Sequence, residues 1–504
     1  MHRARAAPVS TPSYSNLVGF IFIFNLIVGT GALTLPGVFA RAGWALSLVV
    51  ILLLAIISYM TVTFVIEAMA CANAIKNWQN LQVLRRSRNS HSENENDQEN
   101  EELETVPLMN SSTEFQYYQL THKFELGEMA TLFFNDFGRI LFYMCFIIYL
   151  YGNLSIYSAA VSRSLRDVIC EHDHSNSSDI SILESKSLYG AGNFKSNETT
   201  ACWKDREITR LSMYRLILIG FISIFGPLVL FGIQKTKYLQ MLTAAFRWMA
   251  FTFMICISIK LLITDGAKGH PVPINIYGVP PLFGACVYSF MCHHSLPGLL
   301  APLRNKSKVS QILSYDYILI CMFYIVLAMT GIFAFKHVED LYTLNFLPYQ
   351  VESKDFLSGL YIGIDYFLSL FPVFTLSTSF PVIALTLKNN LQILFLDMSQ
   401  YESYNKFIRL ILFPLMTILP SFCVAYITDS LSTLVAFTGS YAGAGIQYVI
   451  PVFLLYFSRR TCTELLGSGI TNHFQSPFKS NAWLALVLIW SVICVIFVSI
   501  NLFF

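Results

Sequence analysis

Eleven apolar stretches, each long enough to cross a lipid bilayer, run along this chain. They cover residues 17–39, 43–68, 139–161, 212–232, 239–263, 279–301, 312–334, 357–387, 407–427, 431–457 and 481–503. A bilayer core about 30 Å thick needs about 20 apolar residues per helix. Charged residues make up only 13% of the chain, against roughly 25% in soluble domains. The sequence therefore predicts an all-α integral membrane protein with eleven transmembrane helices, in contact with the lipid bilayer.

The motifs of soluble cofactor enzymes are missing from the sequence. It contains no P-loop, GxGxxG, HExxH or CxxC pattern, so we predict neither a metal nor an organic cofactor. The net charge is +2, and no basic stripe is interleaved with aromatic residues, so we expect no nucleic-acid partner.

Lys and Arg are unevenly divided between the short loops. If residues 1–16 are cytoplasmic, twelve of these cations fall in cytoplasmic segments and four in loops on the other side. Cations concentrate on the cytoplasmic side of membrane proteins. The sequence therefore predicts a cytoplasmic N-terminus and a C-terminus on the opposite side.

The long loop over residues 163–211 falls on the lumenal side of this topology. It has Asn-x-Ser/Thr sequons at Asn176 and Asn197, which are glycosylated only in the lumen. It also contains Cys170 and Cys202, and an oxidising compartment favours a disulfide between them. We predict a glycosylated loop with one disulfide.

The other long loop, over residues 72–125, is predicted to be cytoplasmic. Its stretch 91–105 has seven acidic residues and no aromatic one, so we expect this loop to be disordered. Residues 104–109 and 117–120 resemble adaptor sorting signals for endosomes and lysosomes, although patterns this short also occur by chance. Sorting adaptors are thus candidate partners, and the expected location is an endosomal, lysosomal or plasma membrane.

Small residues near the middle of the first apolar span indicate an interruption of its helix. It reads FNLIVGTGALTLP over 24–36, with Gly29, Thr30 and Gly31 near its middle. Two glycines around a threonine form helix poorly, and non-helical backbone in a bilayer is tolerated only where it lines a cavity or is buried in protein. Close packing of helices through small residues is the alternative interpretation. Asn25, one turn earlier, is a candidate to brace a break here.

The sixth span supports a break in the helix over close helix packing. It reads GACVYSFMCHHSLPGLLAP over 284–302, and two adjacent imidazoles at mid-membrane are costly unless they face a cavity or partners. The first and sixth spans lead two five-span blocks, 17–263 and 279–457, with 481–503 as an added helix. Because each block has an odd number of spans, the second enters the membrane from the opposite side. Paired interruptions in an inverted repeat indicate a transporter's binding site.

Half-helices at such breaks suit a zwitterion, because their N-termini attract a carboxylate and their carbonyl ends attract an ammonium or a metal cation. The candidate substrate-binding residues are Asn25, Gly29, Thr30, Gly31, Ser289, Phe290, Cys292, His293, His294 and Ser295.

A coupling ion has candidate ligands in the eighth span. Thr375, Ser377 and Thr378 lie between two prolines, and their hydroxyls are candidates to bind Na⁺ together with carbonyls near Gly29. Hydrogen bonds to their own helix are the equally good alternative. The histidines of the sixth span are candidates to carry H⁺ instead. Arg247, inside the fifth span, is predicted to face a partner or water, or to extend toward the cytoplasmic interface.

At these residues the sequence resembles the amino acid/auxin permease family, which includes sodium-coupled and proton-coupled amino acid transporters. The matching pieces are FNLIVGTGALTLPGVFARAGW (24–44), YSFMCHHSLPGL (288–299) and GSYAGAGIQYVIPVFLLYF (439–457). The resemblance implies a LeuT-type fold, a 5+5 inverted repeat plus one extra helix, with substrate bound between residues 29–31 and residues 289–295.

Three functions are consistent with these features. The first is secondary active transport of amino acids or similar small zwitterions, driven by a Na⁺ or H⁺ gradient with alternating access. The second is an amino acid sensor or transporter-like protein without net transport. The third is a membrane acyltransferase with an intramembrane histidine as base, which is disfavoured because the polar clusters fall near mid-depth. We therefore do not expect an enzyme.

Overall fold

A computed structural model of the chain describes residues 14–93, 117–170, 201–203, 206–231, 237–347, 356–396, 405, 407–467 and 470–503. Its α-helices are α1 (Asn16–Ile27), α2 (Thr30–Ala42), α3 (Trp44–Glu93), α4 (Leu126–Phe133), α5 (Asp136–Ile169), α6 (Arg210–Phe225), α7 (Leu228–Phe231), α8 (Lys237–Thr264), α9 (Val279–Ser289), α10 (Leu296–Leu300), α11 (Val309–Ala334), α12 (Phe356–Phe395), α13 (Phe413–Ile427), α14 (Leu431–Thr438), α15 (Ile450–Leu466) and α16 (Asn481–Phe503). Strands β1 (Ala201–Trp203) and β2 (Arg206–Thr209) form an antiparallel pair.

Short 3₁₀ and π-helical segments join or extend these helices. The 3₁₀ segments are Ile276–Gly278 and Tyr342–Phe346, and the π-helical ones are Ile408–Leu412, Gly439–Gly443 and Gly445–Val449. The last two connect α14 to α15, so Leu431–Leu466 forms one long apolar unit. The protein is therefore an all-α membrane protein in the part that the structure describes, apart from one small hairpin.

Eight helical units of the described chain are long and apolar enough to cross a membrane. They correspond to α3, α5, α8, α11, α12, α13 with its π-helical extension, α14–α15 and α16. Helices α1 and α2 form a ninth unit, bent by 52°. The predicted spans 212–232 and 279–301 are each built from two shorter helices, α6 with α7 and α9 with α10. Eight helical units and one bent pair make nine spans. The predicted total of eleven is reached only if these two interrupted segments also cross the membrane, so it stays a prediction.

Helix α3 is much longer than the predicted span 43–68. It continues to Glu93, so the prediction of a disordered loop over 72–125 is wrong for residues 72–93. The physical reason is local: residues 69–93 include neither Gly nor Pro, and Ala70, Ala72, Ala74 and Ile75 are buried. Most of the acidic stretch, together with the sorting-signal candidate at 104–109, lies outside the described residues.

The segment that follows this gap packs back onto α3. Asn77 Nδ2 donates to the Tyr117 carbonyl at 3.0 Å, and the His122 amide donates to Asn73 Oδ1 at 2.8 Å. Leu120 is only 1% exposed. The sorting-signal candidate over 117–120 is therefore part of the folded body, and its leucine is not accessible to an adaptor in this conformation.

The predicted lumenal loop begins later than residue 163, because α5 continues to Ile169. Cys170 and Cys202 form a disulfide with a Cα–Cα distance of 4.7 Å, which joins the end of α5 to β1. The sequons at Asn176 and Asn197 lie outside the described residues.

Helix α9 lies in the centre of the molecule, packed against α2, α3 and α14. Its contact with α14 depends on two glycines. A Cβ on Gly284 would lie 2.6 Å from Ala436 Cα, and a Cβ on Gly439 would lie 2.8 Å from the Gly284 carbonyl carbon. Small residues allow such backbone contact in membrane helix packing. As a result α9 and the residues after it are held against the first bent span.

A cluster of ion pairs joins several helices at one end of the molecule. At one end Arg163 of α5 lies 3.4 Å from Asp340 and 3.3 Å from Glu339, and Arg41 at the end of α2 also contacts Asp340. This cluster ties α2 and α5 to the loop before α12. It lies at the same end of α5 as Cys170, so both features belong to the predicted lumenal side.

Candidate functional site

Both predicted interruptions are present in the structure. Helix α1 ends at Ile27, Val28 is extended, Gly29 has φ −128° and ψ −146°, and α2 begins at Thr30. In the sixth span α9 ends at Ser289 and α10 begins at Leu296, so residues 290–295 form a non-helical break. The two adjacent histidines lie inside that second break.

The two broken spans contact each other directly. A Cβ on Gly31 would lie 2.5 Å from Ser289 Oγ and 2.7 Å from Ser289 Cα. Thr30 Oγ1 lies 3.3 Å from the hydroxyl of Tyr288. The first turn of α2 is therefore packed against the last turn of α9, which brings the predicted residues 30, 31 and 289 together.

One tyrosine contacts the carbonyl ends of both broken helices. The hydroxyl of Tyr324, on α11, lies 3.1 Å from the Ile27 carbonyl and 2.9 Å from the Ser289 carbonyl. These are terminal carbonyls of α1 and α9, which have no partner in their own helices. Tyr324 is fully buried, and its single O–H is shared between these two buried carbonyls, which water cannot reach.

An arginine side chain binds the carbonyl end of α1. Arg247 of α8 donates from Nη1 to the Val28 carbonyl at 2.8 Å, and the same atom contacts the Asn25 carbonyl. The C-terminal end of a helix has partial negative charge, which favours a cation at this place. The sequence predicted a substrate ammonium or a coupling cation at these carbonyls, and the structure has a guanidinium there.

The threonine hydroxyls of the Na⁺ site predicted from the eighth span donate their hydrogens within their own helix. Thr375 Oγ1 donates to the Phe371 carbonyl at 3.0 Å, and Thr378 Oγ1 donates to the Thr375 carbonyl at 2.9 Å. Ser377 is buried on the same helix, α12, and the Gly29 carbonyl accepts from the Ala32 amide. These bonds agree with the alternative interpretation, but the hydroxyl oxygens keep lone pairs that can bind a cation, so the Na⁺ site stays a prediction.

The two histidines of the second break contact different helices. His293 is fully buried, and its Nε2 lies 2.9 Å from Thr61 Oγ1 of α3. The His294 ring packs against Phe146 and Tyr149 of α5, with centroid distances of 5.8 and 5.4 Å. Both Nδ1 atoms lack a hydrogen-bond partner among the described residues. The break therefore contacts two long helices, and its two Nδ1 atoms remain without a hydrogen-bond partner in the described residues.

The remaining predicted residues of this break pack around α11. The ring of Phe290 stacks on Tyr317 at 6.0 Å, and Cys292 Sγ lies 3.4 Å from the Tyr317 hydroxyl. Ser295 is bonded within the break, through its amide to the Cys292 carbonyl at 3.1 Å. Asn25 takes part through its carbonyl, while its side-chain amide has no partner in the described part of the chain.

Sequence reasoning missed the tyrosines of this site and gave Arg247 no part in it. Tyr288 and Tyr324 are two of 26 tyrosines, and nothing in one sequence distinguishes them. Arg247 did have a signal, because a cation inside an apolar span needs a partner. Its partners are backbone carbonyls, and no sequence pattern identifies those.

Comparison with known proteins identifies a family of membrane proteins. The chain matches the family described as transmembrane amino acid transporter protein over residues 13–81 and 108–503, and it belongs to that family. It is 69% identical to the transmembrane protein 104 homolog of Drosophila melanogaster over 506 residues, which cover 98% of each chain. It is 42% identical to transmembrane protein 104 of Homo sapiens, over 97% of this chain and 96% of the human one. The predicted family resemblance is confirmed.

Proposed function

We propose that this protein is a secondary active transporter of amino acids or similar small zwitterions, with a LeuT-type inverted repeat and alternating access. The observation that carries the proposal is the pair of facing breaks, whose terminal carbonyls both contact the single hydroxyl of Tyr324. Interrupted spans at corresponding positions of two repeats are the arrangement that transporters use to bind substrate near mid-membrane.

The polar groups around the first break suit a zwitterion. The N-cap residue of α2 is Gly29, which has no side chain to cap the helix, so the Thr30 and Gly31 amides are offered to a substrate carboxylate, while the Ala32 amide donates to the Gly29 carbonyl. Asn25 and His293 have buried side-chain atoms without a partner in the described chain, and these can bind a substrate ammonium or polar group. A positive helix end and uncharged polar acceptors together favour an amino acid over a simple anion or cation.

The burial of this site supports alternating access. Ser289 is 1% exposed and Phe290 and His293 are fully buried, so a substrate cannot reach the break from water in this conformation. Movement of one repeat against the other has to open the contact between α2 and α9. The ion-pair cluster around Asp340 closes one end of the molecule, and it has to open when the site faces that side.

We assign H⁺ as the coupling ion in preference to Na⁺. The α1 carbonyls that would bind Na⁺ are already bound by the guanidinium of Arg247. A permanent cation at this position supplies the charge that a bound metal ion would otherwise provide. Transport should therefore not respond to Na⁺.

The orientation that fits these assignments has a cytoplasmic N-terminus. The disulfide of Cys170 and Cys202 then lies on the lumenal side, where oxidation is favoured, and glycosylation at Asn176 or Asn197 is expected there. The proposed location is an endosomal, lysosomal or plasma membrane.

The test is uptake of a panel of radiolabelled amino acids into vesicles reconstituted with purified protein. Sodium and pH gradients are imposed separately. We expect saturable uptake of at least one amino acid that increases with a pH gradient and is unchanged when Na⁺ is replaced by choline. Binding of an amino acid without net flux would identify a sensor, and uptake that requires Na⁺ would contradict the assigned role of Arg247.

Substitution of Arg247 should lower uptake strongly. In Arg247→Met the α1 carbonyls at residues 25 and 28 lose their donor inside the protein, so we expect at least a tenfold decrease in initial rate. Arg247→Lys keeps one cation and should retain more activity than the Met variant. The matched control is Lys260→Met, on the same helix, because the Lys260 side chain is exposed and its ammonium lies on the Tyr361 ring and hydroxyl. Equal rates for wild type and Arg247→Met would exclude the role given to this arginine.

A further inference from the structure

Asp316 is a buried carboxylate inside the membrane-spanning helix α11. It is 0% exposed, and neither of its carboxyl oxygens has a hydrogen-bond or ion-pair partner among the described residues. It lies seven residues after the helix begins at Val309, about 10 Å along its axis. The family relationship and the facing breaks do not explain why a carboxyl group is placed there.

An ionised carboxylate at this position would be very costly. Transfer of a charge from water into an apolar interior costs far more than transfer of the neutral acid, unless a counter-charge or hydrogen-bond donors compensate it. Asp316 has no such group in the described chain. The carboxyl can therefore be accommodated here when it holds a proton, and it can ionise only when the site opens to water.

Within the described residues, no cation of the neighbouring helices pairs with Asp316, and Lys76 of α3 lies over the ring of Phe124 instead. Helix α1 has no ionisable side chain, and Glu67 of α3 is bound to Arg459. The described cations of α8 are used elsewhere, because Arg247 binds α1 carbonyls and Lys260 contacts Tyr361.

The other ionisable groups near Asp316 belong to α3, to the start of α11 and to the second break. Tyr59 of α3 packs on the Tyr317 ring at 5.8 Å, and Lys308 at the start of α11 is exposed. Arg41, the one ionisable side chain of α2, lies at the other end of the molecule on Asp340. Cys292 lies close enough to Asp316 to interact with it electrostatically, and His293 is bound to Thr61.

Asp316 also lies next to a polar chain that ends at the substrate break. The hydroxyl of the adjacent Tyr317 lies 3.0 Å from Ser58 Oγ of α3 and 3.4 Å from Cys292 Sγ. Cys292 is followed directly by His293 in the break. A movement of residues 290–295 on substrate binding would therefore alter the surroundings of α11 at this carboxyl group.

We propose that Asp316 is the proton-binding site of this transporter, holding the coupled H⁺ as a neutral carboxylic acid while the site is closed. An O–H bond forms when the carboxylate takes a proton from water on the side of higher proton activity. The same bond breaks when the site opens to the other side, and the proton returns to water there. This inference rests on the proposed function for its place in a transport cycle, although proton occupancy itself can be tested without transport.

The direct test is infrared spectroscopy of the purified full-length protein near pH 7.5, comparing wild type with Asp316→Asn. The Asn side chain is nearly isosteric with the neutral acid, so the variant should fold. We expect the C=O stretching band of one protonated carboxyl group in the wild type to disappear in the variant. The control is Asp265→Asn, because Asp265 is exposed and paired with Lys268, and it should leave the band intact. Identical spectra for wild type and Asp316→Asn would overturn the proposal, as would a carboxylate band that shifts on addition of Na⁺.

The functional test measures proton movement in vesicles with a pH-sensitive dye. Two activities are compared: accumulation of the amino acid driven by a pH gradient, and exchange of labelled for unlabelled amino acid. In Asp316→Asn the decrease in accumulation should be at least tenfold larger than the decrease in exchange. Accumulation and proton influx at wild-type levels in this variant would overturn the site. If the wild type transports none of the amino acids but its protonated carboxyl band is lost in Asp316→Asn, the proposed function fails and the proton site stands. If the wild type transports and the band is absent, only the proton site fails.

Discussion

Gly31→Val should abolish amino acid uptake. Even the first side-chain carbon at this position would lie 2.7 Å from the backbone Cα of Ser289, so α2 and α9 would have to separate. Overpacking of this kind costs about 1–3 kcal/mol, and here it acts on the contact that must open and close during transport. Gly31→Ala should give an intermediate loss, because its single Cβ makes the same contact with fewer atoms. Initial uptake rates in reconstituted vesicles measure both effects.

The matched control for this substitution is Gly363→Val in α12. A Cβ on Gly363 would meet nothing within 4 Å, so this variant should transport like the wild type. Both variants should reach the membrane in normal amounts, which quantitative immunodetection of tagged protein would check. Normal uptake by Gly31→Val would show that the contact between Gly31 and Ser289 is not part of the transport site.

The second large effect is expected on stability, at the ion pair between Glu67 and Arg459. Glu67 Oε1 and Oε2 accept from Arg459 Nε and Nη2 at 2.7 and 2.8 Å, and Oε2 also accepts from the Ser476 amide at 2.9 Å. This pair joins α3 to α15. Arg459→Met leaves the carboxylate, which is 2% exposed, without its counter-charge. The expected loss is about 3 kcal/mol, at the low end for broken buried pairs because Arg459 is partly exposed.

Thermal unfolding in detergent, followed by intrinsic fluorescence, tests this loss. The midpoint of Arg459→Met should lie roughly 5 °C or more below that of the wild type. Arg460→Met is the control, since Arg460 is the next residue in the chain and forms an exposed pair with Glu464. Its midpoint should match the wild type, because exposed ion pairs contribute little. Equal midpoints for Arg459→Met and the wild type would show that the ion pair does not stabilise the fold.

The membrane-spanning helices and both breaks could be predicted from the sequence, because each depends on local composition. Runs of about 20 apolar residues identify a span, and Gly29-Thr30-Gly31 or His293-His294 within such a run identify a break. The extension of α3 to Glu93 could have been predicted from helix propensity as well. The predicted boundary at residue 68 is too early, because polar residues alone do not end a helix that lacks Gly and Pro.

The partners of the site could not be predicted, because they come from helices distant in sequence. Arg247 lies 219 residues from Val28, and Tyr324 lies 297 residues from Ile27. Their hydrogen bonds go to backbone carbonyls, which every residue has, so side-chain identity does not indicate them. The Na⁺ site was predicted at Thr375 and Thr378 for the same reason: the sequence shows hydroxyls, and only their geometry shows which carbonyl they bind.

By itself the sequence determined that this chain lies in a membrane, that two of its spans are interrupted, and where those interruptions fall. Hydrophobicity and backbone propensity act over neighbouring residues, so they can be evaluated along the chain. Only the tertiary structure decided that a guanidinium binds the carbonyl end of α1, that Tyr324 joins both breaks, and that Asp316 is buried without a partner in the described chain. Those facts depend on which helices pack side by side. In a membrane, helix packing depends on the fit between helix surfaces, and this fit cannot be read from the sequence along one helix.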